Sequence, residues 1–291
     1  MFELYAAKAM GQAGRPANVS AIRETIKRTK PESVEPYLYL AAAQLTAGRR
    51  DDAMATLGDV LEREPNSTRA LYMMGRARDL LGQPEKAIPH FEKAVRIDRY
   101  AAGNHNALGM SLLKAGRLDE SIRSFENAVR LHPYDASAWF GMAGALVKKG
   151  DYREAAEAFT EALRSEPNLP DAYLSLGLCE LVLGQTSDAV RTWKRGRSLK
   201  RDDADLCEAL AAGLVLAGRH GEALETAEEA RRLGADEASC LLTEGLAFEG
   251  LDRTEEARDA LRAGIAEAER TSPSLPAIRS MLMQRARRLA P

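Results

Sequence analysis

Residues 136–169 read ASAWFGMAGALVKKGDYREAAEAFTEALRSEPNL, and the spacing of five residue types in this stretch decides the fold. Small Ala143 stands eighth, Gly150 fifteenth, small Ala155 twentieth, aromatic Phe159 twenty-fourth and Pro167 thirty-second. Moving outward in steps of 34 residues, glycine returns at Gly48, Gly82, Gly116, Gly184 and Gly218. A fixed period in this range marks a stack of supersecondary units, each burying its apolar face against its neighbours. Each unit reads as two helices. The first stops near the glycine, which adopts a left-handed conformation at low cost. The second stops near proline (Pro65, Pro133, Pro167), which cannot continue a helix.

The register gives seven repeats: 34–67, 68–101, 102–135, 136–169, 170–203, 204–237 and 238–271. The eighth and twentieth positions hold small residues throughout, as at Gly75 and Ala87, Gly109 and Ser121, or Ala143 and Ala155. Small residues let paired helices approach closely, so a large residue there overpacks the crossing. The twenty-fourth position holds Leu57, Phe91, Phe125, Phe159, Trp193 and Leu261, expected to fill the gap toward the next repeat.

These residues resemble the tetratricopeptide repeat (TPR) pattern of W-x2-L-G-x2-Y, A-x3-F and P. Repeat four supplies Trp139, Met142, Ala143, Leu146, Ala155, Phe159, Ala162 and Pro167. Repeat three supplies Leu108, Gly109, Leu112, Ser121, Phe125, Ala128 and Pro133, and repeat five Tyr173, Leu176, Gly177, Ala189 and Trp193. The resemblance implies an all-α fold, an α-solenoid wound as a right-handed superhelix of about one turn.

The ends depart from the pattern. Residues 1–33 keep Gly14 and Pro31 but carry Val19 and Arg23 where alanine and an aromatic are usual, so they are read as a degenerate N-terminal repeat or cap. Repeat six has Ala227 in place of the aromatic, and repeat seven has Asp252 in place of the glycine; these two are expected to be the loosest. Pro89 falls inside a second helix, where it removes one backbone donor and favours a bend. Residues 272–291 are expected to form a C-terminal capping helix, with Leu275, Ile278, Leu282 and Leu289 inward and Arg279, Arg285, Arg287 and Arg288 outward.

Composition narrows the function. A net charge of −2 gives no general attraction to nucleic acid or anionic lipid. No apolar run approaches the roughly 20 residues that cross a bilayer, so no membrane insertion is expected. Three cysteines, Cys179, Cys207 and Cys240, form no disulfide framework and suit a reducing, cytoplasmic compartment. The four histidines lie in different repeats, and no phosphate loop, nucleophile elbow or zinc motif is present. The chain therefore reads as non-enzymatic, with no cofactor and no metal. The densest basic run, Arg191 to Arg201, reads as a solvated helix face.

In TPR proteins the first helices line the concave groove through positions 2, 5, 6, 9, 12 and 13. Carried over, this gives a partner-binding set of Arg69, Tyr72, Met73, Arg76, Asn106, Met110, Lys114, Phe140, Lys148, Leu174, Leu178, Leu181, Glu208 and Leu246. It is rich in large apolar residues that the repeat does not require, and exposed apolar surface marks interaction sites. Basic members gather in repeats two to four, and acidic ones (Asp171, Asp205, Glu208, Glu249) in repeats five to seven. No repeat has lysine at position 5 or asparagine at position 9, so the carboxylate clamp of chaperone co-factors is not expected. The resulting expectation is an adaptor or scaffold that binds a peptide or helix of a protein partner in the concave groove. Two alternatives are the regulatory TPR region of a larger enzyme, such as a glycosyl- or sulfotransferase, and a scaffold that self-associates.

Overall fold

A computed structural model describes residues 19–289, and every regular element among them is an α-helix. In chain order these are α1 (Val19–Thr29), α2 (Glu35–Thr46), α3 (Arg50–Arg63), α4 (Thr68–Leu80), α5 (Pro84–Ile97), α6 (Ala102–Lys114), α7 (Leu118–Leu131) and α8 (Ala136–Lys149). They continue as α9 (Tyr152–Ser165), α10 (Pro170–Val182), α11 (Thr186–Leu199), α12 (Ala204–Leu216), α13 (His220–Arg232), α14 (Glu237–Glu249), α15 (Thr254–Ala268) and α16 (Pro276–Leu289). Gly14 and the rest of residues 1–18 lie outside the described residues. The chain divides within α8 into two compact halves, residues 1–145 and 146–291.

The glycine of the period works as its spacing demands. Gly48, Gly82, Gly116, Gly150, Gly184 and Gly218 all have φ between +68° and +93°. Asp252, their counterpart in repeat seven, takes the same left-handed conformation with φ +60°. An L-residue with a Cβ pays about 1–2 kcal/mol there, partly offset by the greater chain entropy that glycine loses on folding. Asp252→Gly is therefore expected to stabilise the protein by about 0.5–1 kcal/mol, read as a raised urea midpoint. Two first helices, α12 and α14, begin on side-chain caps: Asp203 accepts from the Leu206 N–H at 3.0 Å and Asp236 from the Ser239 N–H at 2.9 Å. The α5 helix runs through Pro89, whose side of the helix is exposed.

Small residues at position 8 allow the approach expected of them. The Ser121 hydroxyl, at position 20, donates to the Gly109 carbonyl at 2.7 Å. The aromatic at position 24 fills space within its own repeat as well as toward the next. A Cβ added at Gly75 would lie 2.6 Å from the Phe91 ring, and one at Gly109 2.9 Å from that of Phe125. Phe125 also closes on Gly141 of the following repeat, where a Cβ would stand 2.6 Å from the ring.

In the N-terminal half, Val19, Ile22 and Ile26 of α1 pack against Leu40 and Ala43 of α2. Leu38, Leu57, Val60 and Met74 form the next layer, Ile88, Phe91, Leu108 and Leu112 another, and Phe125, Val129 and Ala138 a fourth. In the C-terminal half one continuous cluster runs from Trp193 through Leu206, Leu210, Leu242 and Leu246 to Ile278 and Leu282. Repeats six and seven are thus firmly packed, contrary to the expectation that they are the loosest. The reason is α16, which covers them.

Candidate functional site

Within each half, first helices of successive repeats pack side by side: α2 with α4 and α4 with α6, then α10 with α12 and α12 with α14. The second helices pack on first helices behind them. Within each half the first helices therefore form a row, the helices on which positions 2, 5, 6, 9, 12 and 13 were assigned to a groove.

In the N-terminal half this row is open. Arg69 is exposed, pairs with Glu35 at 2.8 Å and lies over the Tyr39 ring, 5.1 Å from its centroid. Tyr72 is half-buried, edge-on to Phe91, with Arg76 above it at 5.9 Å. Met110, a large apolar side chain, is 36% exposed, with its sulfur against Gly141 of the next repeat. Lys114 approaches Asp79 at 3.4 Å, and the Ser111 hydroxyl donates to the same carboxylate oxygen at 2.8 Å. Asn106 donates to Asp135 at 3.2 Å, and Phe140 is half-buried. Met73 departs from its assignment. It is only 8% exposed and packs with Leu38 and Met74, because position 6 turns toward the preceding repeat.

The C-terminal half differs more. Lys148 is exposed, while Leu174 and Leu178 are half-buried against the core cluster. Glu208 and Leu246 are buried and present no open surface, and Leu181, 5% exposed, only edges a cleft, correcting their assignment. The covering element is α16. It packs chiefly on α14, more lightly on α15, and reaches back to α12. Leu275, Ile278, Leu282 and Ala286 point inward, whereas Leu289 is 40% exposed. Arg279, expected to face solvent, is 5% exposed. Its guanidinium pairs with Asp236 and donates to the Thr271 carbonyl at 2.6 Å.

Glu208 is the second buried charge. It is 2% exposed, and Oε2 accepts from the Asp236 N–H at 3.3 Å and the Ser274 hydroxyl at 3.1 Å. Its Oε1 is buried without a hydrogen-bond partner. Burial, with the Asp236 charge adding, outweighs these bonds and pushes the carboxyl up to about 7. Burial also acts to raise Asp236, yet hydrogen bonds from Ser239 and Arg279 hold it below the ordinary aspartate range. Beside α16 an open cleft is lined by Leu181, Leu216, Glu249, Met281, Arg285 and Arg288.

The three cysteines are buried and unpaired. Burial pushes Cys179 and Cys207 up to about 11 and Cys240 up to about 12, so none is a ready nucleophile. Among the described residues no group of three His, Cys, Asp or Glu side chains is placed to hold a metal, and no helix is long and apolar enough to cross a membrane.

Two tetratricopeptide repeat profiles match the chain, one over residues 19–102 and 140–196 and the other over 100–165, together more than half its length. The chain belongs to the tetratricopeptide repeat family. Both profiles describe repeats alone; neither describes a catalytic domain. Curated relatives include the FK506-binding protein-like proteins of Mus musculus, 44% identical over 68 residues, and Homo sapiens, 36% identical over 84 residues. These matches take in 23% and 29% of this chain and only 20% and 24% of those proteins. Among solved structures, YrrB, a TPR protein with an unusual peptide-binding site, has a TM-score of 0.58 at 22% identity over 68% of this chain and 97% of its own. A TPR protein from Parabacteroides merdae has a TM-score of 0.59 at 15% identity over 88% of this chain and all of its own. At these identities the likeness is one of fold. TPR domains are in general protein-interaction modules, and this one carries the family's stacked helix pairs.

Proposed function

We propose that this TPR protein is a non-catalytic adaptor, and that a peptide or helix of a protein partner lies along the first-helix row of its N-terminal half. The supporting observation is the chemistry left open there. Tyr39 and Tyr72 are overlaid by Arg69 and Arg76, with exposed Met110 and half-buried Phe140 further along the row. Aromatic, methionine and arginine side chains are the types enriched at interface centres. Arginine beside apolar surface suits a partner segment with apolar residues at helical spacing and acidic flanks. A reducing, cytoplasmic setting suits three buried, unpaired thiols.

The test compares wild type with Arg76→Glu/Met110→Glu in capture from a lysate of the source cells, followed by affinity measurement on the recovered partner. Both residues are exposed, so the fold is expected to survive, as checked by circular dichroism. Affinity is expected to fall at least about tenfold, since truncating or reversing central contacts costs about 1–2 kcal/mol or more. An outer-face change, Arg96→Glu, is expected to leave affinity unaltered. Equal retention by the double variant moves the site off this row.

A further inference from the structure

The α16 helix occupies the place of a ligand. Leu275, just ahead of it, and its inward residues Ile278, Leu282 and Ala286 repeat at helical spacing and join Leu206, Leu242 and Leu246 in one cluster. Glu208 and Leu242 stand at position 5 of their repeats and Leu246 at position 9, the positions that face a bound segment in the open half. The contact also has the polar anchoring of a recognition site. Asp236 binds Arg279, and Glu208 binds Ser274 just ahead of the helix. The opposite face of α16 carries exposed Arg285, Arg287 and Arg288.

We propose that the inner surface of α12 and α14 is a helix-binding site that α16 fills in cis, and that its trans ligand is a partner's amphipathic helix bearing the same apolar spacing and one arginine. The arginine is required because a helix that covers the site buries Asp236, which is 10% exposed under α16, and a carboxylate so buried needs a cation beside it. The short connection through Ser272, Pro273 and Ser274 keeps α16 at an effective concentration on the order of millimolar, so a competing helix gains entry chiefly when cis docking weakens.

Glu208 supplies that weakening. A purely structural cap would set an apolar residue here; instead a carboxylate is buried with one oxygen unpartnered. Facing it are Asp236 and the Cys240 thiol on α14 and, beyond Asp236, Arg279 on α16. Undocking returns Glu208 to water and to the ordinary glutamate value of 4.5, whereas docking lifts it to about 7. The docked state thus binds the extra proton. Docking is tightest at mildly acidic pH and loosens as pH rises through 7, by about 25-fold between pH 5.5 and pH 8.

Hydrogen exchange on the full chain, corrected for intrinsic rates, tests this. Amides of α16 are expected to open before those of α12 and α14, with protection falling about 25-fold from pH 5.5 to pH 8 and holding flat in Glu208→Gln. As probe for the trans site, a labelled acetylated peptide of residues 272–289 is titrated into wild type and into Leu282→Asp. It is expected to bind the variant at least about tenfold more tightly, because the variant's own helix no longer competes. Exchange of α16 in one step with α12 and α14, independent of pH, overturns the proposal even if the variant fails to fold. So does equal peptide binding to a folded variant and wild type, or binding to neither.

Discussion

Alanine at position 193 is expected to destabilise the C-terminal half by about 3–5 kcal/mol, the range for truncating a buried aromatic side chain. Trp193 is fully buried between α10 and α12. A Cβ on Gly177 would lie 2.3 Å from the indole nitrogen and one on Gly213 2.6 Å from the far edge of the ring. The two helices are thus shaped around the indole, and its N–H donates to the Leu174 carbonyl at 3.1 Å. Glycine walls carry no side chains that could swing in to refill the space, so the cavity persists. Urea unfolding followed by circular dichroism reads the loss. A cost below about 1 kcal/mol would mean that the helices collapse onto the void.

Asp236→Ala is expected to cost about 3–5 kcal/mol, more than capping alone explains. The capping bond to the Ser239 N–H accounts for about 1 kcal/mol. The remainder comes from Arg279, left charged in a site where it is 5% exposed. Asp236→Asn keeps a capping oxygen and isolates the charge contribution. The pH dependence has two opposite limbs. Asp236, held below its ordinary value, contributes stability above the unfolded aspartate range that is lost as pH falls through its folded value. Glu208, raised to about 7, contributes stability that is complete below 4.5 and lost as pH rises through 7. The C-terminal half is therefore expected to be most stable in mildly acidic solution. Thermal unfolding across pH 3–9 reads both limbs, and Glu208→Gln removes the upper one.

The period located the helix pairs because glycine, proline and small residues act locally: a left-handed turn or a close crossing demands them wherever the repeat stands. The groove was legible only where it is open. Position 9 gives exposed Arg76 and Met110 in repeats two and three but buried Leu246 in repeat seven, and the difference lies in a helix distant in sequence. One sign of it was present. Arg279 falls four residues after Leu275 and three before Leu282, on the apolar face of the last helix. An arginine in such a stripe requires a buried carboxylate, and Asp236 is the one that Arg279 meets. Tyr39, by contrast, gave no sign, since its pairing with Arg69 depends on how neighbouring first helices are spaced.

The glycines that receive the large aromatics also write an order into the chain. Trp193 needs glycine at position 10 of the following repeat. Gly213 meets that need, whereas the same position elsewhere holds Ala43, Ala77, Ser111, Ala145, Cys179 and Ala247. Phe125 needs glycine at position 6, which Gly141 provides in repeat four and no other repeat supplies. Repeat three therefore accepts only repeat four as its successor, and repeat five only repeat six. The modules look interchangeable in outline, but their junctions are keyed, so a shuffled or duplicated array of the same parts would jam at these two seams.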